Sequence, residues 1–162
     1  AGPSFPPREP RSPTSSYARY AMPASGRSPL LVDTSAAIAL VVADHDGHEQ
    51  TARSLRGRTL GLAGHAAFET FSVLTRLPPP ARRTPATVVH ILSEAFPETR
   101  FLGARAAAAL LERFVEAGIA GGSVYDALVG AAAVEHRLPL VTRDQRALDI
   151  YRSLDVNVEL LS

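Results

Sequence analysis

The stretch Ser123-Val124-Tyr125-Asp126-Ala127-Leu128-Val129-Gly130-Ala131-Ala132-Ala133-Val134 most limits what this chain can fold into. Gly121-Gly122 interrupts whatever precedes it. Ser123 is the expected N-cap of an alanine-rich helix. A helix that is apolar on nearly every side has to be buried on most of them, so the fold must place layers around it. Yet it carries a carboxylate, Asp126, in its first turn. Taken alone, such an acid complements the helix dipole, an effect worth under about 1 kcal/mol.

Short apolar segments alternate with helical ones along the rest of the chain. Leu30-Leu31-Val32 reads as a buried strand, and Asp33-Thr34-Ser35 ends it and caps a helix through Val42. A helix from His48 to Leu55 closes at Gly57, and Thr59–Leu62 is a second strand. Phe68, Phe71, Val73 and Leu74 fit a helix from His65 to Leu77, which Pro78-Pro79-Pro80 stops. Thr84-Pro85 is an N-cap followed by proline at the first helical position, opening a helix that ends before Pro97. Arg100-Phe101-Leu102 is expected as a third strand. Ala104 to Glu116 is expected as a helix with Leu110, Leu111, Phe114 and Val115 inward, ended by Gly118. After the Ser123 helix come a strand over 138–142, a turn at Arg143-Asp144, a helix from Gln145 to Leu154 and a last strand over 156–160. This order predicts an α/β fold with a mostly parallel sheet.

Residues 1–29 hold seven of the 13 prolines and almost no aliphatic side chains, and read as a disordered extension; residues 30–162 form the folded domain. The chain has no cysteine, which excludes disulfides, zinc–thiolate sites and thiol nucleophiles. No apolar run is long enough to span a bilayer, and a cytoplasmic protein is expected. All 17 cations are arginine, but the net charge of only +1 gives no strong global field.

The chemistry lies in the placement of four acids. Asp33 follows the first strand and Asp144 follows the 138–142 strand. Glu69 and Asp126 each stand in the first turn or so of a helix. In a parallel α/β layout the helix after a strand starts at the strand's carboxyl end, where functional groups gather. All four are therefore expected at one edge of the sheet. Like charges raise one another's pKa values, so such a cluster calls for a cation. Oxygen-only ligands favour a hard ion, Mg²⁺ or Mn²⁺, which activates water for attack on a phosphodiester. Each acid also has a structural alternative: Asp33 as a helix cap, Glu69 paired with an arginine, Asp144 as a turn stabiliser.

The segments Leu31-Val32-Asp33-Thr34-Ser35, Phe68-Glu69, Tyr125-Asp126-Ala127-Leu128 and Thr142-Arg143-Asp144, in this order, resemble the PIN-domain ribonucleases, specifically the VapC-like toxins of type II toxin–antitoxin pairs. The resemblance covers Leu30 to Ser162. It implies a parallel sheet in an α/β/α sandwich, metal-dependent RNA cleavage, a cognate antitoxin that blocks the site, and homodimerisation. It makes Asp33, Glu69, Asp126 and Asp144 the catalytic and metal-binding quartet, with Ser35 and Thr142 as hydroxyl helpers. Two other readings stay open: a PIN nuclease without an antitoxin, and a non-catalytic binding module.

Arg143 and Arg146 flank Asp144 and are candidate contacts to RNA phosphate; Arg82-Arg83 is a weaker one. An apolar groove for the antitoxin is expected around Ile38, Leu40, Val41 and Val42. The five histidines lack metal-ligand spacing and read as structural or surface residues. The sequence offers no stacked aromatic platform of the kind that single-strand RNA modules use. Neutralising either Asp33 or Asp126 is expected to leave the fold intact.

Overall fold

The computed structural model describes residues 28–161. Four short strands, β1 (Leu30–Val32), β2 (Leu60–Leu62), β3 (Leu140–Thr142) and β4 (Val158–Leu160), form one sheet. Their order is β2-β1-β3-β4, and every pair is parallel. Leu30 lies opposite Leu60, Leu31 opposite Leu140, and Val141 opposite Glu159. Every residue of β1 and β3 is buried. Successive side chains of a strand point to opposite faces, so both faces of the sheet centre are covered.

The cover is helical. Helices α1 (Thr34–Val41), α2 (His48–Ser54), α3 (Ala66–Arg76) and α4 (Pro85–Ala95) associate with one another, α1 against α2 and α3, and α3 against α4. The second group is α5 (Ala104–Ala117), α6 (Ser123–His136) and α7 (Leu148–Ser153), with α6 packed against both others. The expected α/β fold with a parallel sheet is what forms. The expected disordered extension, 1–29, lies outside the described residues except for Ser28 and Pro29.

Local chemistry explains most boundaries. Thr84 accepts a hydrogen bond from the Thr87 backbone N–H at 3.2 Å, with Pro85 at the first helical position of α4. Gly118 ends α5 in the left-handed region at φ 65°. The α6 helix buries Ala127, Val129, Gly130, Ala132 and Ala133. Its Gly130 admits α7: a Cβ there would stand 3.0 Å from Val156 and 3.1 Å from Tyr151 side-chain atoms.

Several expectations fail for physical reasons. Ser123 is the first residue of α6 rather than its cap; Gly122 takes the cap position with no side-chain hydrogen bond. The expected strand at Arg100-Phe101-Leu102 shrinks to an isolated bridge between Ala63 and Arg100. Phe101 turns outward, and the Gly103 N–H bonds the Glu135 carboxylate as α5 begins. The expected 145–154 helix opens as a 3₁₀ turn, Gln145–Ala147, before α7. Leu111 and Val115 point to solvent at 65% and 84% exposure, so α5 buries a narrower stripe than its sequence implies. Phe68 is likewise outside the core.

Gly61 in β2 lies against the backbone carbonyl of Glu98, leaving no room for a Cβ. Backbone cannot yield as a flexible side chain does. Gly61→Ala is predicted to lower stability by about 2 kcal/mol or more, as overpacking does. Gly122→Ala, where an added Cβ meets nothing, is predicted to change it by less than about 0.5 kcal/mol. Urea denaturation of both variants checks the contrast; equal stabilities would refute it.

Candidate active site

The site follows from the strand order. The chain leaves β1 for β2 on one side, then crosses back to β3 on the other and continues to β4. Connections thus diverge from the carboxyl ends of β1 and β3, which opens a crevice between them. Asp33 directly follows β1. Thr142 ends β3, and Arg143 and Asp144 come next.

Asp33 is the N-cap of α1 and only 5% exposed. Its Oδ1 accepts from Ser35 Oγ at 2.6 Å and from the Ala36 N–H at 2.9 Å. Its Oδ2 accepts from Thr142 Oγ1 at 2.5 Å and from the Tyr151 hydroxyl at 3.4 Å. Burial pushes its carboxyl pKa above the usual range, opposed by the bonds from Ser35, Thr142 and Ala36. Each helper hydroxyl spends its one proton on Asp33 and then accepts from the chain after β3. Thr142 Oγ1 accepts the Asp144 N–H at 2.9 Å, and Ser35 Oγ accepts the Arg143 N–H at 2.8 Å. Two hydroxyls thereby join the start of α1 to the end of β3.

The other acids are held differently. Asp144 Oδ1 accepts from the Arg146 N–H at 2.9 Å and from Arg146 Nε at 3.0 Å. Its Oδ2 accepts from Arg146 Nη2 at 2.9 Å. The guanidinium holds the Asp144 carboxyl below the usual range. Glu69 Oε2 accepts from Thr34 Oγ1 at 2.6 Å. Asp126 is half-buried, and among the described residues nothing donates a hydrogen bond to its carboxylate. Its pKa is raised, first by burial and then by the charges of Asp144, Asp33 and Glu69, with Arg146 acting in the opposite direction. Asp33, Glu69 and Asp144 therefore each stand within electrostatic reach of Asp126. Among the described residues no three such side chains are drawn into a ready-made ligand set; Asp33, Glu69 and Asp144 are each turned to a local donor instead.

Arg143 lines the cleft beside Asp144, with its guanidinium tied to α2. Its Nη1 donates to Gln50 Oε1 at 3.2 Å and Thr51 Oγ1 at 3.3 Å, and its guanidinium lies over Gly47. It braces α2. Arg146 keeps an exposed side chain beside a cleft of about 400 Å³, which Thr34, Ser35, Ile38 and His45 also line. Arg82 and Arg83 bond backbone carbonyls of Leu77 and Pro80 after α3. The broad apolar groove expected on α1 is reduced, because Leu40 is in the core and Val41 packs against it. His45, His48 and His136 each bond backbone, and His65 stacks on Tyr125.

Sequence reasoning does not single out Tyr151, which is buried with its hydroxyl donating to Asp33. Burial and the Asp33 charge push its hydroxyl pKa up, so it stays a proton donor. Nothing local in Ile150-Tyr151-Arg152 marks it; only the packing of α7 against α6 and β4 brings it there. Residues distant in sequence do bring four rings together at the surface: His65 stacks on Tyr125, and Phe68 lies tilted against His65 and Phe101.

Asp33 and Asp126 are not equivalent to substitution. Asp126 is charged without a donor, so its raised pKa means that the ionised form destabilises the metal-free fold. Asp126→Asn is predicted to raise the thermal midpoint at pH 7 by a few degrees. The gain should vanish as pH falls below the unfolded carboxyl's value of about 3.9, where wild type is protonated in both states. Asp33→Asn instead turns an amide donor toward hydroxyls already directed at it and is predicted to lose stability. Thr142→Val, which leaves the Asp144 N–H without its acceptor and Asp33 Oδ2 with only the long Tyr151 bond, is predicted to lose about 1–3 kcal/mol. Thermal melts in chelator across pH check the set; a stability loss in Asp126→Asn would contradict it.

A PIN domain family model matches residues 30–153. Ribonuclease VapC27 of Mycobacterium tuberculosis (strain ATCC 25618 / H37Rv) is 44% identical over 132 residues, spanning 82% of this chain and 96% of that protein. Ribonuclease VapC40 of the same species (strain CDC 1551 / Oshkosh) is 42% identical over 132 residues, spanning 80% of this chain and 97% of that protein. With a parallel α/β core, a family model matched over residues 30–153 and relatives aligned over most of their length, the chain belongs to the PIN domain family.

Proposed function

We propose that the chain is a divalent-metal-dependent endoribonuclease that hydrolyses RNA phosphodiester bonds as the toxin of a toxin–antitoxin pair. The ribonuclease names of relatives aligned over nearly their whole length support the activity. The observation that carries the site is the Asp126 carboxylate, half-buried, without a donor, and under the repulsion of three further acids. A cation relieves that repulsion, and an oxygen-only donor set fits Mg²⁺ or Mn²⁺. Asp33, Glu69, Asp126 and Asp144 are the proposed ligands, directly or through water. The bound ion would polarise a phosphoryl oxygen and lower the pKa of the attacking water.

The chain's own groups do the positioning. Ser35 and Thr142 fix both oxygens of Asp33, leaving that carboxylate one orientation. Tyr151 supports it from beneath. Arg146 withholds Asp144 and carries an exposed charge suited to the RNA phosphate. Arg143 is assigned to structure rather than to RNA. An antitoxin, a homodimer and a cytoplasmic setting complete the proposal. Leu111 and Val115 supply exposed apolar surface for self-association, and among the described residues no helix is long and apolar enough to cross a membrane.

Wild type is predicted to cleave RNA with Mg²⁺ or Mn²⁺ and to stop in chelator. Asp126→Asn should cut the rate about 100-fold or more, the scale of losing one electrostatic stabiliser. Mn²⁺ should raise the thermal midpoint of wild type and not of the variant, because only a bound ion stabilises the folded state. Full activity in Asp126→Asn would sink the assignment. Co-expression with the product of the neighbouring gene tests the toxin reading separately; failure to co-purify counts against it and not against the nuclease.

A further inference from the structure

Arg146 grips the Asp144 carboxylate with three donors. Its backbone N–H and Nε both reach Oδ1, at 2.9 and 3.0 Å, and Nη2 reaches Oδ2 at 2.9 Å. The paired Nε and Nη2 contact is one that a planar guanidinium makes and an ammonium cannot. Together the donors fill three of the roughly four acceptor positions that a carboxylate offers. The same guanidinium also acts on Asp126, against the repulsion from Asp144, Asp33 and Glu69. In the metal-free chain Arg146 thus supplies positive charge to the acids.

The grip opens without disturbing the fold. The Arg146 side chain is 90% exposed, so little packing is lost when it moves, and an ion pair this exposed contributes little to stability. The partners are two residues apart at the 3₁₀ turn after β3, so the guanidinium swings away with no strand or helix displaced. Arg143, the other guanidinium lining the same cleft, is not free in this way, because Gln50 and Thr51 hold it. A guanidinium and a divalent ion on one carboxylate repel each other. Gripping Asp144 and admitting an ion there are therefore alternatives, and the cleft beside Asp144 gives the released side chain a place to go.

We propose that Arg146 is an exchangeable counter-ion: it holds Asp144 in the metal-free chain, yields that carboxylate to the divalent ion, and then carries its charge to a substrate phosphate in the cleft. The inference rests on the proposed metal site and adds a device that sets its affinity. Because Arg146 competes with the ion, it raises the metal concentration that the enzyme needs. By linkage, a phosphate that binds the released guanidinium tightens the ion in turn. Metal and phosphate recruit each other through one side chain, and the metal-free chain keeps its arginine neutralised.

The test uses the full chain stripped of metal, with Mn²⁺ alone as the probe in calorimetric titration. Arg146→Gln should bind Mn²⁺ about tenfold more tightly than wild type, an ordinary size for coupling between two bound groups. Arg146→Lys keeps the charge and loses the fork, and should also bind more tightly than wild type. Equal or weaker binding by Arg146→Gln overturns the exchange. So does an Arg146→Lys that matches wild type while Arg146→Gln tightens, which assigns the effect to charge alone. By NMR, the Arg146 Nε–H should lose its protection from solvent exchange as Mg²⁺ saturates the site; protection that persists means the grip stays closed over a bound ion, and the proposal fails. In cleavage assays the two proteins should cross. At saturating RNA and limiting Mn²⁺, Arg146→Gln should be the faster; at saturating Mn²⁺ its KM should be several-fold higher. An unchanged KM there overturns delivery of the arginine to the substrate. Mn²⁺ binding without RNA cleavage by wild type sinks the ribonuclease reading and leaves the exchange at Asp144 standing. No Mn²⁺ binding at all sinks the metal site, and the exchange with it.

Discussion

The structure depends on one buried carboxylate. Asp33 directly follows the central strand β1, caps α1, and is bonded by hydroxyls from both α1 and β3. Burying an acid is unfavourable unless its oxygens are satisfied. Here both are, and the groups that satisfy them also fix where the chain goes. Thr142 and Ser35 each accept a backbone N–H from the turn after β3 in return. The register of β1 against β3, the start of α1 and the path of the Arg143-Asp144 turn are thus a single arrangement. A slip of one residue in either strand would strand a buried carboxylate, so a site cost in stability becomes a constraint on the fold.

That arrangement also explains why the acids are close yet not clustered. Asp33 is saturated, Glu69 bonds Thr34, and Asp144 is clamped by Arg146. Asp126 alone has no donor among the described residues, and it feels the other three charges. In the proposed reading, a divalent ion competes with Arg146 for Asp144. Arg146 is then left free beside the substrate cleft. Asp126 contributes the charge imbalance that makes binding favourable. Its substitution should accordingly improve the metal-free fold, whereas that of Asp33 should damage it.

Much of this was legible in the sequence because its signals are local. Asp33 and Thr84 cap helices, Gly118 takes a positive φ, and Leu30-Leu31-Val32 is an uninterrupted buried run. Alternating elements with acids at their junctions then place Asp33, Glu69, Asp126 and Asp144 by topology. What failed depends on tertiary context. Arg100-Phe101-Leu102 has strand-like composition, but only Arg100 meets β2's extension at Ala63. Leu111 and Val115 share helical spacing with Leu110 and Phe114, yet nothing among the described residues packs over them. Ser123 looked like a cap, but the turn at Gly121-Gly122 starts the helix one residue earlier in its capping role. Tyr151 and the four surface rings are contacts between distant segments, which no local pattern announces.

The most direct test is a crystal structure with Mn²⁺ at a concentration that supports RNA cleavage, with the ion located by its anomalous scattering. The account predicts a peak between the Asp33 and Asp126 carboxylates, with Asp144 turned from Arg146 toward it. A manganese ion bound elsewhere, with Asp126 still without a partner in an enzyme active under the same conditions, would contradict it.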